Sequence, residues 1–283
     1  MDIELLKTFL EVSRTRHFGK AAENLFVTQA AVSSRIRQLE EVLGVQLFTR
    51  ARNNIQLTSA GHRLVTHAET VVNGWNRARQ EVASHIPEAR PLAVGGLPSL
   101  WDAWLAGWAS ETYREIPGIA LSLEALSSMM LTRRLRERSL DLVFVYEPLH
   151  INDFESVECL RFDLVLVSTE AHREFGKHEV ANYVFVDWGT AFGVRHSEEL
   201  ASLIPAMRVD LPSTAIRFIR EHGGAAYLAE PMIRQSLERG DLHRVAHAPT
   251  MQRSIHAIFP TRSAQADIVR KALALLAGPI AQS

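Results

Sequence analysis

At 283 residues the chain exceeds one typical core of roughly 100 to 200 residues, so two domains are expected. Its 47% hydrophobic and 22% charged residues, with a mean hydropathy of -0.03, exclude a disordered or fibrous protein, and no run approaches the ~18 apolar residues of a membrane span. Acids in MDIELLKTFLEVSR argue against a signal peptide, and the sole cysteine, Cys159, leaves no intrachain disulfide or thiolate zinc site, so a cytoplasmic protein without cofactor or metal is expected.

The net charge of -1 is unevenly spread. Residues 1–90 hold 12 Lys/Arg against 9 Asp/Glu, a net of +3, and residues 91–283 hold 19 against 23, a net of -4. Between Arg14 and Arg52 seven basic residues face three acids, which suits a polyanion. Leu5, Leu6, Phe9, Leu10 and Val12 recur at helical spacing and predict a first helix from Ile3 to Val12. His17-Phe18-Gly19 interrupts it, and residues 20–25 resume as a short helix whose paired alanines allow close packing. Thr28 is a good N-cap and Gly44 a good C-cap for a third helix, with Val32, Ile36, Leu39 and Leu43 as its buried stripe.

The opposite face of that helix, Gln29, Ala30, Ser33, Ser34 and Arg37, is short and polar at its N-terminal end. Small residues let backbone approach a duplex, while Gln, Ser and Arg supply donors to base edges and phosphates. Taken alone, the face is better read as merely solvated. Residues 45–50 and 55–57 then alternate like two strands around the turn dipeptide Asn53-Asn54. Helix-turn-helix followed by a basic hairpin is a winged helix.

The segment AAENLFVTQAAVSSRIRQLEEVLGVQLFTRARNNIQLTSAG resembles the N-terminal signature of LysR-type transcriptional regulators, and the likeness continues in character along the chain. The first ninety residues look closest to the branch that contains the H-NS-dependent flagellar regulator. By this resemblance Gln29, Ser33, Arg35 and Arg37 face double-stranded DNA, Arg50 and Arg52 hold phosphate from the wing, and Phe48 anchors the wing. Thr28, Ala30 and Ser34 complete the expected DNA-binding set. Ala30 stands where proline is common in the family and Ser34 where arginine is common, which puts base readout there in question, with Arg35 as the compensating donor.

From Thr58 to His85 runs a long helical segment in which Leu64, Ala68, Val71, Trp75, Ala78, Val82 and Ile86 are separated by threes and fours. A lone seam of this kind could be an ordinary amphipathic face. Beside a DNA-binding head it offers a dimer contact that would set two recognition helices about 34 Å apart. Pro87 and Pro91 end the helix.

Beyond Pro91, short apolar runs alternate with helical segments: Leu92 to Gly96, Leu105 to Tyr113, Ile119 to Leu123, Met129 to Arg138 and Leu142 to Val145 read as βαβαβ. A second set comprises runs at residues 164–167, 183–186, 207–209, 225–228 and 255–258, with a helix from Ala215 to His222. Two α/β subdomains follow. The resemblance implies a regulatory domain of periplasmic-binding-protein type. The expected division is 1–58 for the winged helix-turn-helix head, 59–90 for the dimerisation helix and 91–283 for the regulatory domain. Within the last, subdomain I would take 91–160 and 263–283, subdomain II 161–262, with hinges near Leu160 to Arg161 and Phe259 to Arg262.

In such sheets, ligands bind beyond the carboxyl ends of strands. Ser99, Ser128, Tyr146 and Ser213 stand at such positions, though plain capping explains any single serine equally well. Trp101 either stacks on an effector or fills the site, and Asp187 beside Trp188 lines the other wall. Twelve histidines scatter, and only His243 and His247 lie close enough to pair, so no metal is expected. No dinucleotide fingerprint, P-loop or Gly-x-Ser-x-Gly occurs, which leaves catalysis no foothold.

The reading is a sequence-specific DNA-binding transcriptional regulator that self-associates as a dimer or, by resemblance, a homotetramer, and that is expected to sense an unnamed small molecule. No membrane partner is expected. The rivals are an architectural DNA-binding protein with little sequence preference, and a small-molecule-binding module or enzyme whose N-terminal helices only oligomerise.

Overall fold

The computed structural model describes residues 2–51, 54–83, 90–149, 152–176, 180–263 and 265–276. The chain divides into two compact units, with the sequence boundary near residue 87.

The N-terminal unit opens with α1 (Ile3–Thr15), capped by Asp2, and α2 (Phe18–Asn24), where His17 Nδ1 accepts from the Lys20 amide. Phe18 and Gly19, expected to interrupt the helical run, belong to α2, because the histidine cap starts the helix before them. In α3 (Gln29–Leu43) the Thr28 hydroxyl accepts from the Ala31 amide and Gly44 closes the helix at φ +68°. Val32, Ile36 and Leu39 pack with Leu5, Leu6, Phe9 and Val12 of α1. Leu43 does not join them: one turn past Leu39 the helix has outrun the core, and the side chain is exposed.

The wing consists of β1 (Phe48–Ala51) and β2 (Asn54–Leu57), paired antiparallel with Phe48 opposite Leu57 and Ala51 opposite Asn54. Val45 and Gln46, expected to begin the strand, precede it, because Glu40 of α3 accepts the Leu47 and Phe48 amides and holds the chain off a ladder there. Asn54 is a strand residue, and Asn53 lies outside the described residues. Phe48 packs its ring 5.4 Å from Phe9 and 6.3 Å from Phe18. The long helix α4 (Ser59–Ala83) starts where Thr58 accepts from the Gly61 amide. At Gly61 a Cβ would sit 2.3 Å from the Leu47 carbonyl oxygen, so only glycine lets helix and wing base approach this closely.

The second unit is built on a sheet of order β4-β3-β5-β11-β6-β9-β7-β8, with β10 (His243–Arg244) added beside β6. In its first half β3 (Arg90–Gly96) runs parallel to both β4 (Ile119–Ala125) and β5 (Leu142–Val145). The connections are α5 (Pro98–Leu100), a π-helical turn (Trp101–Leu105) and α6 (Ala106–Glu115), then α7 (Ser128–Arg136). The second half has β7 (Tyr183–Val186) parallel to β8 (Pro205–Val209) and β9 (Ala225–Ala229), joined by α8 (Thr190–Glu199) and α9 (Pro212–His222). Helices α10 (Glu230–Arg239) and α11 (Ala266–Ala274) complete it, and Trp108 of α6 donates to the Ala272 carbonyl of α11.

Two long antiparallel strands, β6 (Phe154–Ser168) and β11 (Met251–Pro260), run through both halves. Their register slips once: Ile255 pairs with Leu160 but His256 with Glu158, so Cys159 is the extra residue of a bulge. The sequence pattern showed only the apolar centres of these strands.

Candidate DNA-reading head and regulatory cleft

Helix α3 presents Gln29, Ala30, Ser34 and Arg37 to solvent, with Ser33 half-buried beside them and the exposed Thr28 as cap. Uncapped amide groups and the positive end of the helix dipole accompany this small, polar end, which suits approach to phosphates. Arg35 behaves differently. Its Nη1 donates to the buried Thr8 hydroxyl at 3.3 Å and lies 3.9 Å from Glu4 Oε2, so the guanidinium is drawn back onto α1. Arg50 pairs with Ile55 through the backbone of the hairpin, while its side chain and Arg52 lie outside the described residues.

One feature of the head escaped the sequence pattern. Phe26, in the turn between α2 and α3, is 95% exposed at φ +55°. Left-handed backbone costs a residue with a Cβ about 1 to 2 kcal/mol, and at this exposure the ring gains almost nothing from packing. In sequence Leu25 reads as a helix end and Phe26 as plain connection, and nothing in their spacing distinguishes a half-buried leucine from an extruded ring.

The seam of α4 divides in two. Ala68 is buried in the head's own core, with Leu64 packed against it, whereas Val71 and Trp75 are 46% and 49% exposed and Ala78 is open. The Val82 side chain and Ile86 lie outside the described residues.

In the second unit, a cleft of about 740 Å³ opens between the two halves of the sheet. Leu97, Ser99, Ser128, Met129 and Tyr146 form one wall, and Phe185, Asp187, Thr190, Val194 and Asp210 the other. Ser99, Ser128, Tyr146 and Asp187, named from sequence, are therefore brought together. Buried Ser99 accepts a 2.8 Å hydrogen bond from the Tyr146 hydroxyl, and burial pushes the Tyr146 phenol well above its ordinary range, leaving it a neutral donor. Asp187 Oδ1 accepts from the Gly189 amide. Gly189 sits at φ +92°, and a Cβ there would meet Arg253, Glu147 and Tyr146 within 2.9 Å.

Trp101 and Ser213 are not on this lining. The indole of Trp101 donates to the Glu124 carbonyl at 2.9 Å and closes the end of β4, because the π turn rotates it away from the cleft. Ser213, at the start of α9, donates to Asp102 through its amide (2.6 Å) and its hydroxyl (2.8 Å). Glu147 likewise accepts from Arg253 (2.6 Å) and from the Ala191 amide in the first turn of α8 (3.2 Å). Behind the wall, Trp104, Phe162, Trp188 and Tyr146 form a tilted aromatic cluster with centroids 4.6 to 6.3 Å apart. His243 lies in β10 and His247 in a left-handed turn, and among the described residues no three potential ligands converge on a metal site.

The comparisons agree with this layout. Residues 3–62 match the model of the bacterial regulatory helix-turn-helix protein, lysR family, and residues 86–278 match the LysR substrate binding domain. The chain belongs to the LysR family of transcriptional regulators, with a DNA-binding helix-turn-helix head and a regulatory domain of the substrate-binding type. It is 40% identical over 263 residues to the HTH-type transcriptional regulator HdfR of Salmonella typhimurium, covering 92% of each chain, and 38% identical over 293 residues to HdfR of Yersinia enterocolitica, covering 100% of this chain and 99% of that one. The fold is that of Vibrio fischeri DarR in complex with DNA, with a TM-score of 0.61 at 20% identity, covering 98% and 99%. Among the described residues no helix is long and apolar enough to cross a membrane.

Proposed function

We propose that the protein binds an interrupted palindrome as a dimer or dimer of dimers, and that a small molecule in the cleft between the sheet halves sets how the paired heads are spaced. The observation that carries this is the small, polar, exposed N-terminal end of α3. There Gln29, Ala30, Ser33, Ser34 and Arg37 meet base edges, Thr28 lies against phosphate, and Arg50 and Arg52 hold the backbone from the wing. Arg35, bonded to Thr8 and paired with Glu4, tilts α3 against α1 and acts chiefly as a positioning residue. Exposed Val71, Trp75 and Ala78 supply the pairing surface of α4, where a second copy doubles the phosphate contacts.

The cleft has a volume suited to a small organic effector, with hydroxyls on one wall and two carboxylates on the other. LysG from Corynebacterium glutamicum, a solved structure of the same fold, carries a bound arginine effector, a small molecule of the class read here. The protein is read as a regulator located in the cytoplasm, without a catalytic role. Selection of bound sequences from a random duplex library at about 150 mM salt, where non-specific phosphate contacts weaken, tests the reading. Recovery of an interrupted palindrome supports it, and unenriched DNA would instead mark an architectural protein.

A further inference from the structure

Phe26 combines two features that folding alone does not account for. Its backbone is fixed in the left-handed region, because the Phe26 amide donates to Glu23 and the Val27 amide to Ala22, closing the turn around it. Glycine or asparagine meets that demand at least cost, and a bulky aromatic at high cost. The ring then projects into solvent, while its neighbours Ala22 and Val27 pack into the head. A residue that strains the fold and gains no burial points outward to function.

Its location narrows what that function is. Phe26 precedes Thr28 by two residues, at most about 7 Å of chain, and Thr28, Gln29 and Ala30 form the exposed end of α3. When that end enters a major groove the ring reaches the groove rim, where the thymine methyl is the apolar feature of the base edges. We propose that Phe26 reads a thymine C5 methyl at the edge of each half-site, adding apolar specificity to the polar readout by α3. This rests on the DNA-binding reading of α3, and the test separates the two.

The experiment uses the full chain and the selected duplex, with Phe26→Asn as the variant that keeps the turn. The variant should melt at the same or a higher temperature than wild type. Its operator affinity should fall by roughly five- to 150-fold, the range of one lost base contact, with affinity for random duplex unchanged. Each thymine is then replaced in turn by uracil, which removes only the methyl. One substitution per half-site should weaken the wild type and leave Phe26→Asn unaffected. Equal operator affinity for the two proteins, or identical uracil profiles, overturns the proposal while leaving the α3 reading intact. Failure of the wild type to select any sequence removes the reading beneath it. Loss of transcriptional activation at unchanged DNA affinity would give the ring to a protein partner and also overturn the proposal.

Discussion

Asp102 and Ser213 bind each other across the regulatory cleft although 111 positions separate them in the chain. The carboxylate takes one oxygen to the Ser213 amide and the other to its hydroxyl, and so caps α9 of the rear half from the π turn of the front half. Glu147 repeats the device by accepting the Ala191 amide at the start of α8. An anion at a helix N-terminus satisfies free amides and meets the positive end of the dipole, so each contact clasps the two halves with its own charge.

Removing the first clasp should loosen the domain without unfolding it. Asp102→Ala is expected to cost about 1 kcal/mol, as loss of a helix cap does, which lowers the melting temperature by roughly 2 to 4 °C in a domain of this size. Thermal denaturation checks it, and small-angle scattering should show a wider cleft. An unchanged melting temperature would show that the clasp contributes no stability.

The exposed half of the α4 seam makes its own prediction. Trp75→Glu should shift sedimentation toward monomer, because a charge cannot be buried against its copy without a partner. Affinity for a full two-half-site duplex should drop at least tenfold through lost avidity, while a single half-site is bound as before. If the variant still sediments as the wild type does, the contact lies elsewhere.

Within the head, Ser33→Ala should weaken operator binding by about 1 to 3 kcal/mol and spare random DNA, as loss of a base-edge contact does. Arg35→Ala should also lower the stability of the head, because Thr8 is buried and the ion pair with Glu4 disappears. Competition binding with operator and random duplex, alongside melting curves, separates the two behaviours. Equal losses on both DNAs for Ser33→Ala would remove it from base readout.

His196 gives a pH dependence of stability. It is buried among Tyr183, Phe185 and Phe192, its Nε2 finds no hydrogen-bond partner among the described residues, and burial followed by nearby Arg208 depresses its pKa. The unfolded chain therefore binds a proton that the folded one resists. Stability from this group is complete above the ordinary histidine value of about 6.5 and declines as pH falls through it toward the lower folded value. Denaturant melts between pH 7.5 and 5 should show that decline, and His196→Phe should flatten the part due to this residue. A variant with the same slope as wild type would mean that other groups, such as half-buried His256, whose pKa burial also lowers, carry it.

Local signals made much of this legible. The Thr28 and Gly44 caps bound α3, and the Tyr183 to Val186 run coincides with β7 residue for residue. Helices α8 and α10 were not, because Gly193 and a polar C-terminal half thin the apolar pattern of the first and Glu230-Pro231 follows directly on the buried β9 without a linker. The outer half of β6 was hidden because its polar-apolar alternation is broken, by the polar pair Glu155-Ser156 and by the bulge at Cys159. Four cleft residues could be placed because strand ends converge in such sheets. Trp101 and Ser213 could not, since one depends on a π turn and the other on a partner over a hundred residues away. Phe26 needed a backbone angle that no composition encodes.

Gly61 bears on how a signal could cross from the long helix to the DNA. With no room for even a methyl between α4 and the Leu47 carbonyl, the first turn of the helix and the root of the wing act as one rigid crank: twisting the helix turns the wing with it, with no play in the bearing. Natural or laboratory variation in operator spacing should therefore accumulate farther along the shaft, around Val71 and Trp75, and leave position 61 unvaried.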